Sequence, residues 1–191
     1  MTKGLKNHDN GNTFLIITEE LKSAGYNFVY KILKCSDYGI PQMRKRIFIV
    51  AFRQDMNIDL TKLFELDKYK KSITLSDFFG KKFKKDTAYT IRCGGRHSAI
   101  DNRYNWDGYW VDNKEYRLTI DDALLLQGFE NFQLMGSKTK QWKLLGNTIP
   151  TIFTEILGKQ IQMVLKNHII SSCPPAVRID YKRNKEEIGN T

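Results

Sequence analysis

Three polar residues with a spacing of two, Gln42, Arg44 and Arg46, stand at the mouth of an apolar run and are the residues best suited to chemistry. In an extended chain this spacing puts the three side chains on the same side. Two guanidinium groups there would create a pocket suited to an acceptor oxygen or a phosphate. The alternative is a solvated basic edge that discourages pairing between sheets, and the triplet alone does not decide between the two.

A second candidate site is the segment GNTIP, in which Gly146, Asn147 and Thr148 come before Pro150. Proline suits the first turn of a helix, so we expect the last helix to begin there. The backbone N–H groups and short polar side chains of the segment could then face a ligand at the helix N-terminus. An ordinary turn with a helix cap explains the same residues.

A third candidate site, residues 90–103, combines arginine with glycine. Gly94 and Gly95 would let the backbone approach DNA closely, and Arg96 would then pair with guanine. A tight turn followed by a solvated charge is the alternative. The aromatic residues of RYNWDGYWV could stack on bases, but we expect at least half of them to form a small core.

The elements that position the first site are those of an α/β sheet. Residues 12–25 have apolar side chains at helical spacing, with Asn12 or Thr13 as the expected cap. Residues 27–35 and 46–52 are apolar runs typical of strands. The link between the two strands contains glycine and proline, which favour a loop.

The window of residues 54–116 has little periodicity and is rich in lysine and aromatic residues. Its clustered lysines are Lys68, Lys70, Lys71, Lys81, Lys82, Lys84 and Lys85. After this window, the segment RLTIDDALLLQGF again has a helical pattern. Thr119 can cap a short helix there, with Asp122 in the capping-box position. The last helix has an apolar stripe of Ile152, Phe153, Ile156, Leu157, Ile161 and Val164.

The composition narrows the class of partner. A chain of 191 residues allows one domain or a domain with a small appendage, and its net charge of +10 favours a polyanion such as DNA, RNA or an anionic membrane. A generically basic soluble protein is the alternative. The sequence contains no run of eighteen apolar residues, so we expect no segment that spans a membrane. The three cysteines and three histidines are scattered, which fits a reducing compartment and predicts no metal site.

Three motifs in order resemble those of one family, the DNA (cytosine-5) methyltransferases. GIPQMRKRIFIVAF resembles the family's QxRxR motif, YRLTIDDALLLQGF its RxLTxxExxxLQGF motif, and GNTIPTIFTEILG its GN(S/T)(V/I)P motif. KGLKNHDNGNT resembles the segment after the family's Glu-Asn-Val motif. The resemblance covers roughly residues 1–165 and implies the C-terminal part of a Rossmann-like class I methyltransferase sheet plus a small, mostly β or irregular target-recognition domain.

The resemblance also implies a division of the chain. Residues 1–53 would carry the last catalytic strands and residues 54–116 the target-recognition domain. Residues 117–170 would return to the catalytic domain, followed by a polar tail at 171–191. The family's FxGxG loop for S-adenosylmethionine, its Pro-Cys nucleophile and the glutamate of Glu-Asn-Val have no counterpart in this sequence.

The roles of the pocket, cofactor and motif residues follow from the resemblance, whereas the DNA contacts are expected from the glycines and basic side chains of the window. Arg46 would hold the base oxygen of a flipped cytosine while Arg44 and Gln42 order the pocket, and Arg117 would tie the recognition domain to the sheet. The residues expected to line the cofactor are Asn147, Thr148 and Ile149. Those expected to contact DNA are Arg92, Gly94, Gly95, Arg96, Asn102 and Arg103, with Lys81 and Lys82 on phosphates. The structural motif comprises Arg117, Leu118, Thr119, Gln127, Gly128 and Phe129.

The sequence therefore predicts the DNA-recognition subunit or fragment of a cytosine-5 methyltransferase from a bacterial or phage restriction-modification system. It would act in the cytoplasm with a separate N-terminal polypeptide, which would make most of the contacts to S-adenosylmethionine. The apolar face of Ile152, Phe153 and Ile156 is then expected to lack its usual cover. A stand-alone DNA-binding protein that has lost catalysis and a non-functional remnant are the alternatives.

Overall fold

The computed structural model describes residues 3–68, 71–94 and 96–172. Along the chain, the elements are helices α1 (Lys3–Asn7) and α2 (Asn12–Ser23), strands β1 (Tyr26–Lys34) and β2 (Lys45–Arg53), helix α3 (Leu75–Phe79), strands β3 (Gly108–Val111) and β4 (Lys114–Arg117), and helices α4 (Ile120–Leu125), α5 (Lys138–Asn147) and α6 (Thr151–Ser172). Helix α6 runs two residues into the expected tail, and the rest of that tail lies outside the described residues.

The helix expected over residues 12–25 is present as α2, but it begins differently from the expectation. Asn12 is already helical, and the residue before it, Gly11, has a φ of 95° and supplies no side-chain cap. A cap by Asn12 or Thr13 is therefore wrong. The chain reaches α2 through a tight turn in which Asp9 and Asn10 also have positive φ, so the helix starts one residue early.

Strands β1 and β2 form an antiparallel hairpin in which Tyr26 faces Arg53 and Lys34 faces Lys45. Val29 and Val50 lie on one face of the hairpin, which packs against Val164 of α6 and the start of the window. Within the described residues, these two strands make a sheet of their own. The helix, strand, loop and strand expected over residues 12–52 are thus confirmed.

Helix α6 is covered by the chain itself. Phe153 is fully buried, with its ring centre 6.0 Å from that of Tyr38 and 5.2 Å from that of Phe48. Ile152 and Ile156 pack beside it, partly buried. The expectation that this face lacks a cover is therefore wrong, because the hairpin and the 3₁₀ turn at Cys35–Tyr38 fold over it.

The buried residues of the window join the main hydrophobic core of the chain, where Trp106 packs against Trp142 of α5 with 5.5 Å between ring centres. Strands β3 and β4 pair through a turn whose residues, Asp112 and Asn113, have positive φ as a tight hairpin requires. Trp106 and Tyr109 are buried, whereas Tyr104 and Trp110 are exposed. Half of the aromatic residues in RYNWDGYWV therefore form the core, as expected.

The second half of the chain contains one confirmed cap and one missed helix. Thr119 and Asp122 form the expected capping box at the start of α4. Helix α5 was not anticipated, and it ends at Asn147. Gly146 and Asn147 therefore close a helix instead of opening the next one, which corrects the expected helix N-terminal turn. A capping box of Thr74 and Asp77 also starts the short α3.

Candidate functional site

Arg44 joins three distant segments beneath the surface. Its side chain is completely buried, and its Nη1 donates to the Ile91 carbonyl at 3.1 Å. Its Nη2 donates to the carbonyls of Gly146 at 3.0 Å and Thr148 at 2.5 Å. The mouth of β2, the window and the end of α5 are therefore tied together by one guanidinium group.

The charge of Arg44 has no carboxylate partner within the described part of the chain. Burial, together with the nearby charge of Arg46, lowers the pKa of Arg44 to about 10. The group remains protonated at neutral pH, so the carbonyl dipoles are what stabilise it.

Gln42 is also buried, and it fixes the end of α4. Its Nε2 donates to the Leu126 carbonyl at 2.8 Å, while the neighbouring Gln127 donates to the Leu145 carbonyl at 2.9 Å. Its backbone pairs with Ala88 of the window in a parallel bridge. Gln42 and Arg44 thus lie under the site instead of lining it, where they are placed to order it, and their role there stays a prediction.

Arg46 is the member of the triplet that reaches open space. Its side chain lines a cavity of about 730 Å³ between the mouth of β2 and the window. Its Nη1 donates to the Lys45 carbonyl at 2.8 Å, and partial burial lowers its pKa. The described residues offer no further hydrogen-bond acceptor to this guanidinium, so its remaining N–H donors can serve a ligand.

The cavity is basic and partly aromatic. Its lining includes the cations Lys45, Arg92 and Arg103 and the rings of Tyr89 and Trp106, and the described lining residues include no carboxylate. A cavity with these walls suits a flat polar ring attached to an anion.

An arginine pair forms the outer wall of the cavity around Tyr104, which is 54% exposed. Arg92 donates to the Tyr104 carbonyl at 2.8 Å. Arg103 donates to the Tyr104 hydroxyl at 2.6 Å, and its guanidinium lies 4.7 Å from the ring centre. Asn102 accepts from the Tyr104 backbone at 2.8 Å. These expected DNA-binding residues are brought together.

Arg96 is placed elsewhere, inside the window. Its guanidinium lies 4.0 Å from the ring centre of Trp142, and its Nε is 3.5 Å from the carboxylate of Asp107. Reading a base with Arg96 would require it to leave both contacts. Gly94 accepts from the Trp106 indole at 2.8 Å, and Gly95 lies outside the described residues.

Arg117 joins Arg96, Asp107 and Glu115 in a cluster of four charged residues. It contacts Asp107 at 3.2 Å, pairs with Glu115 and donates to the Ser98 carbonyl at 2.8 Å. These partners lie within the window, and the expected tie from Arg117 to the catalytic sheet stays a prediction. Sequence reasoning missed Asp107, although its place in an aromatic, glycine-containing NWDG segment indicated a buried turn.

The cofactor candidates lie at the C-terminal end of α5 and just after it. Asn147 is exposed, with its Oδ1 3.4 Å from the Cys93 sulfur, and Ile149 is also exposed. Thr148 donates its hydroxyl to the Leu144 carbonyl at 2.8 Å. A Cβ at Gly146 would come within 2.6 Å of the Cys93 nitrogen, so this glycine lets α5 approach the window.

The remaining motif residues have structural positions. Leu118 and Gln127 are buried, and Gly128 follows α4 with a φ of 78°. Phe129 packs against Phe132, with 5.3 Å between ring centres. In the described ranges, no group of three histidine, cysteine or acidic residues could hold a metal, and no helix is long and apolar enough to cross a membrane.

Comparison with known proteins shows to which protein family the sequence is similar. The sequence model of the C-5 cytosine-specific DNA methylases matches residues 2–116. The Type II methyltransferase M.NgoBI of Neisseria gonorrhoeae is 33% identical, over 82% of this chain and 57% of that protein. M.HaeII of Haemophilus aegyptius is 30% identical, over 83% and 58%. The chain thus spans little more than half the length of these curated relatives.

Solved structures support the fold. The S. pombe Dnmt2 methyltransferase superposes with a TM-score of 0.58 at 14% identity, over 85% of this chain and 64% of that one. The Entamoeba histolytica methyltransferase EhMeth gives a TM-score of 0.57 at 16% identity, over 80% and 58%. Both likenesses are consistent with a Rossmann-like methyltransferase fold.

Proposed function

The chain belongs to the C-5 cytosine-specific DNA methylase family, and from that premise we propose that it is the DNA-recognition half of a cytosine-5 methyltransferase. A separate polypeptide would supply the cofactor loop, the nucleophilic cysteine and the acid. The observation that carries the proposal is the acid-free cavity lined by Arg46, held in shape by Arg44 beneath it.

The cavity would receive the target base. An enzyme that modifies a ring carbon of a base must first take that base out of the stack. A volume of about 730 Å³, with the rings of Tyr89 and Trp106 and the side chain of Met43 in its walls, leaves room for a cytosine and its sugar-phosphate. The same opening is flanked by Lys45 and Arg103, which can contact phosphates.

Arg46 would act on the flipped base. As a thiolate adds to the cytosine ring, negative charge develops on the base oxygen, and a fixed guanidinium donor stabilises it. Arg44 holds Gly146 and Thr148 from below and thereby orders the site without touching the base. Arg44 is accordingly a positioning residue.

The cofactor would meet this chain only at an edge. S-adenosylmethionine supplies the methyl group when it is bound, and Asn147 and Ile149 are the exposed residues here that can contact it. Thr148 is already engaged through its carbonyl and its hydroxyl. This limited contact fits a cofactor held mainly by the other polypeptide.

Duplex DNA would be held by two sets of side chains. Lys81 lies 4.7 Å from the Tyr116 ring centre, and Lys82 is exposed beside it, so both suit phosphates. Arg92, Asn102 and Arg103, which lie around Tyr104, would contact the edges of the bases. Gly94 and Gly95 would allow close approach of the backbone. Arg96 belongs to this set only if it leaves Asp107.

The test is Arg46→Ala, assayed for methyl transfer after the chain is combined with an upstream half. We expect kcat to fall by about a hundredfold to a thousandfold, as for loss of one preorganised donor, while duplex DNA binding falls far less. Arg53→Ala is the matched control, since that arginine lies exposed at the far end of β2 and pairs with Asp55. Equal effects of the two variants would refute the role of Arg46.

A non-catalytic DNA-binding protein is the second candidate. The net charge of +10 and the absence of a Pro-Cys pair favour it as much as they favour a half enzyme. Specific DNA binding that persists without methylation, whatever upstream half is added, would identify it. An adjacent upstream reading frame that ends near a Glu-Asn motif would favour the half enzyme instead.

A further inference from the structure

A second cavity of about 580 Å³ opens where the window meets the segment that runs from α4 into α5. The described residues that line it are different from those that line the cavity beside Arg46. Trp142 lines the second cavity and packs edge-on against Trp106, which lines the first, with 5.5 Å between ring centres. A ligand bound in the second cavity would therefore be distinct from the target base.

Arg96 lines the second cavity with its hydrogen-bonding capacity unused. Its guanidinium lies over the indole ring of Trp142, 4.0 Å from the ring centre, and its Nε is 3.5 Å from the carboxylate of Asp107. Among the described residues, neither this buried Nε nor the other N–H groups of the side chain find a hydrogen-bond acceptor. A guanidinium that stacks on a ring keeps its N–H groups in its own plane, where an oxyanion can accept two of them.

The other charged groups around the second cavity favour an anion. Lys138, at the start of α5, is exposed, and no described residue forms an ion pair with it. Arg117 is already paired with carboxylates, and Asp121 is the one acidic residue among the described lining residues. The first turn of α5 adds the positive end of its helix dipole. An oxyanion such as a phosphate group therefore suits Arg96 and Lys138 together.

The rest of the cavity wall is apolar and includes an exposed ring. Phe132 is 53% exposed, although its ring centre lies 5.3 Å from that of Phe129. Ile120, Leu124 and Leu134 continue the apolar wall. An exposed ring beside cations is typical of sites that stack a nucleobase and hold its phosphate. The volume also lies within the usual range of small-molecule sites, about 300–1,000 Å³.

We propose that the second cavity binds a nucleoside monophosphate, either as a free nucleotide or as an unpaired nucleotide of a DNA strand. Arg96 and Lys138 hold the phosphate, and the base covers the exposed ring of Phe132. Arg96 keeps its contacts with Trp142 and Asp107 while it binds, because those contacts leave its N–H groups free. This site goes beyond the proposed methyl transfer and does not depend on it.

Isothermal titration calorimetry of the full chain with deoxyadenosine monophosphate tests the site. We expect saturable binding with a Kd below about 1 mM. Lys138→Gln and Phe132→Ala should each weaken it by about fivefold or more, through loss of a phosphate contact and of a stacked ring. Both residues are exposed, so the variants should keep the circular dichroism of the unaltered chain. Lys143→Gln and Met135→Ala, which change exposed residues outside the lining, are the matched controls.

Three results would overturn the assignment of this site. The first is the absence of saturable binding up to about 10 mM nucleotide. The second is binding that Arg46→Ala abolishes and that Lys138→Gln and Phe132→Ala leave intact, because the nucleotide would then occupy the other cavity. The third is equal affinity for inorganic phosphate and for the nucleotide, since the ring would then make no contribution.

Competition with DNA in the same titration distinguishes the two sources of the nucleotide. Displacement by a single-stranded oligonucleotide, without displacement by a blunt and fully paired duplex, would identify an unpaired nucleotide of DNA as the ligand. Binding that neither DNA displaces would identify the free nucleotide. Equal displacement by both DNAs would mean that backbone phosphates alone fill the cavity, and would overturn the proposal. Because these titrations use the chain alone, their outcome is independent of methyl transfer by a reconstituted enzyme.

Discussion

The window and the hairpin differ in how completely they are closed. In the window, the segment from Asn105 to Tyr109 is buried throughout and contains an aspartate with no exposed surface. In the hairpin, β2 is the more apolar segment, yet none of its residues is fully buried. Burial here follows the availability of partners and not the hydrophobicity of the segment. The window holds a buried ionic cluster and joins the main core, whereas β2 pairs with β1 alone among the described residues.

The contact that closes the window should be the most costly to remove. Asp107→Asn would leave Arg96 and Arg117 without their shared carboxylate, so we expect the free energy of unfolding to fall by about 3 kcal/mol, as for broken buried ion pairs. Urea denaturation of the chain measures the loss. Asp101→Asn, at an exposed position in the same window, is the control. Similar stabilities of the two variants would show that the window does not depend on this cluster.

The side chain of Arg44 connects the hairpin to the window and to the end of α5. Lysine cannot reproduce its three carbonyl contacts, so Arg44→Lys should lower the free energy of unfolding by about 2 kcal/mol. Arg46→Lys should cost less than about 0.5 kcal/mol, because that side chain is partly open to the cavity. Denaturant unfolding compares the two. If Arg46→Lys proves the more damaging, the distinction between positioning and ligand-facing arginines is wrong.

Two arginines of the window should separate stability from recognition. Arg103 lies on the exposed wall beside Tyr104, and Arg103→Ala should shift the preferred site by about 1–3 kcal/mol at one base pair. Arg96→Ala should lower the melting temperature and leave the preference largely intact, since Arg96 contacts Asp107 and Trp142. Bisulfite sequencing of DNA methylated by each reconstituted variant reads the preference. A shift produced by Arg96→Ala alone would return base reading to Arg96, as the sequence suggested.

The two thiols are buried in the opposite order to the two regions, because the thiol of the hairpin is buried and that of the window is exposed. We expect changes at these thiols to have the smallest effect. Cys35, at the end of the hairpin, is buried, which raises its pKa to about 12, whereas Cys93 in the window is exposed at the cavity. At pH 8 the Cys35 thiolate should be about a thousandfold scarcer than that of an ordinary thiol. In a Cys173→Ser background we expect iodoacetamide to modify Cys93 alone, and bound DNA to slow it severalfold. Cys93→Ser is the control, and fast labelling that persists in it would contradict the burial of Cys35.

The same thiol sets a limit on alkaline stability. Because the folded pKa of Cys35 lies above its ordinary value of 9.0, its contribution to the free energy of unfolding is intact below pH 9. The contribution is lost as the pH rises from 9 toward 12. Unfolding measured over that range in the unaltered chain and in Cys35→Ala isolates this term.

Local signals in the sequence determined the elements that need only near neighbours. The hairpin strands, the capping box of Thr119 and Asp122, and the start of α6 near Pro150 were all predicted, because each depends on residues a few positions apart. The order of three motifs also indicated the family that residues 2–116 match. Helix α5 was missed, since lysines and glycine dilute its apolar pattern.

Tertiary structure alone decided the roles within the QxRxR triplet. Period two predicted a common side for Gln42, Arg44 and Arg46, yet only Arg46 lines the cavity. The contacts that bury the other two span 84 residues from Gln42 to Leu126 and 104 residues from Arg44 to Thr148. Such contacts leave no trace in local spacing. The same holds for Arg96, whose spacing suggested a free reader of bases, because its partners Asp107 and Trp142 become neighbours only when the window folds against α5.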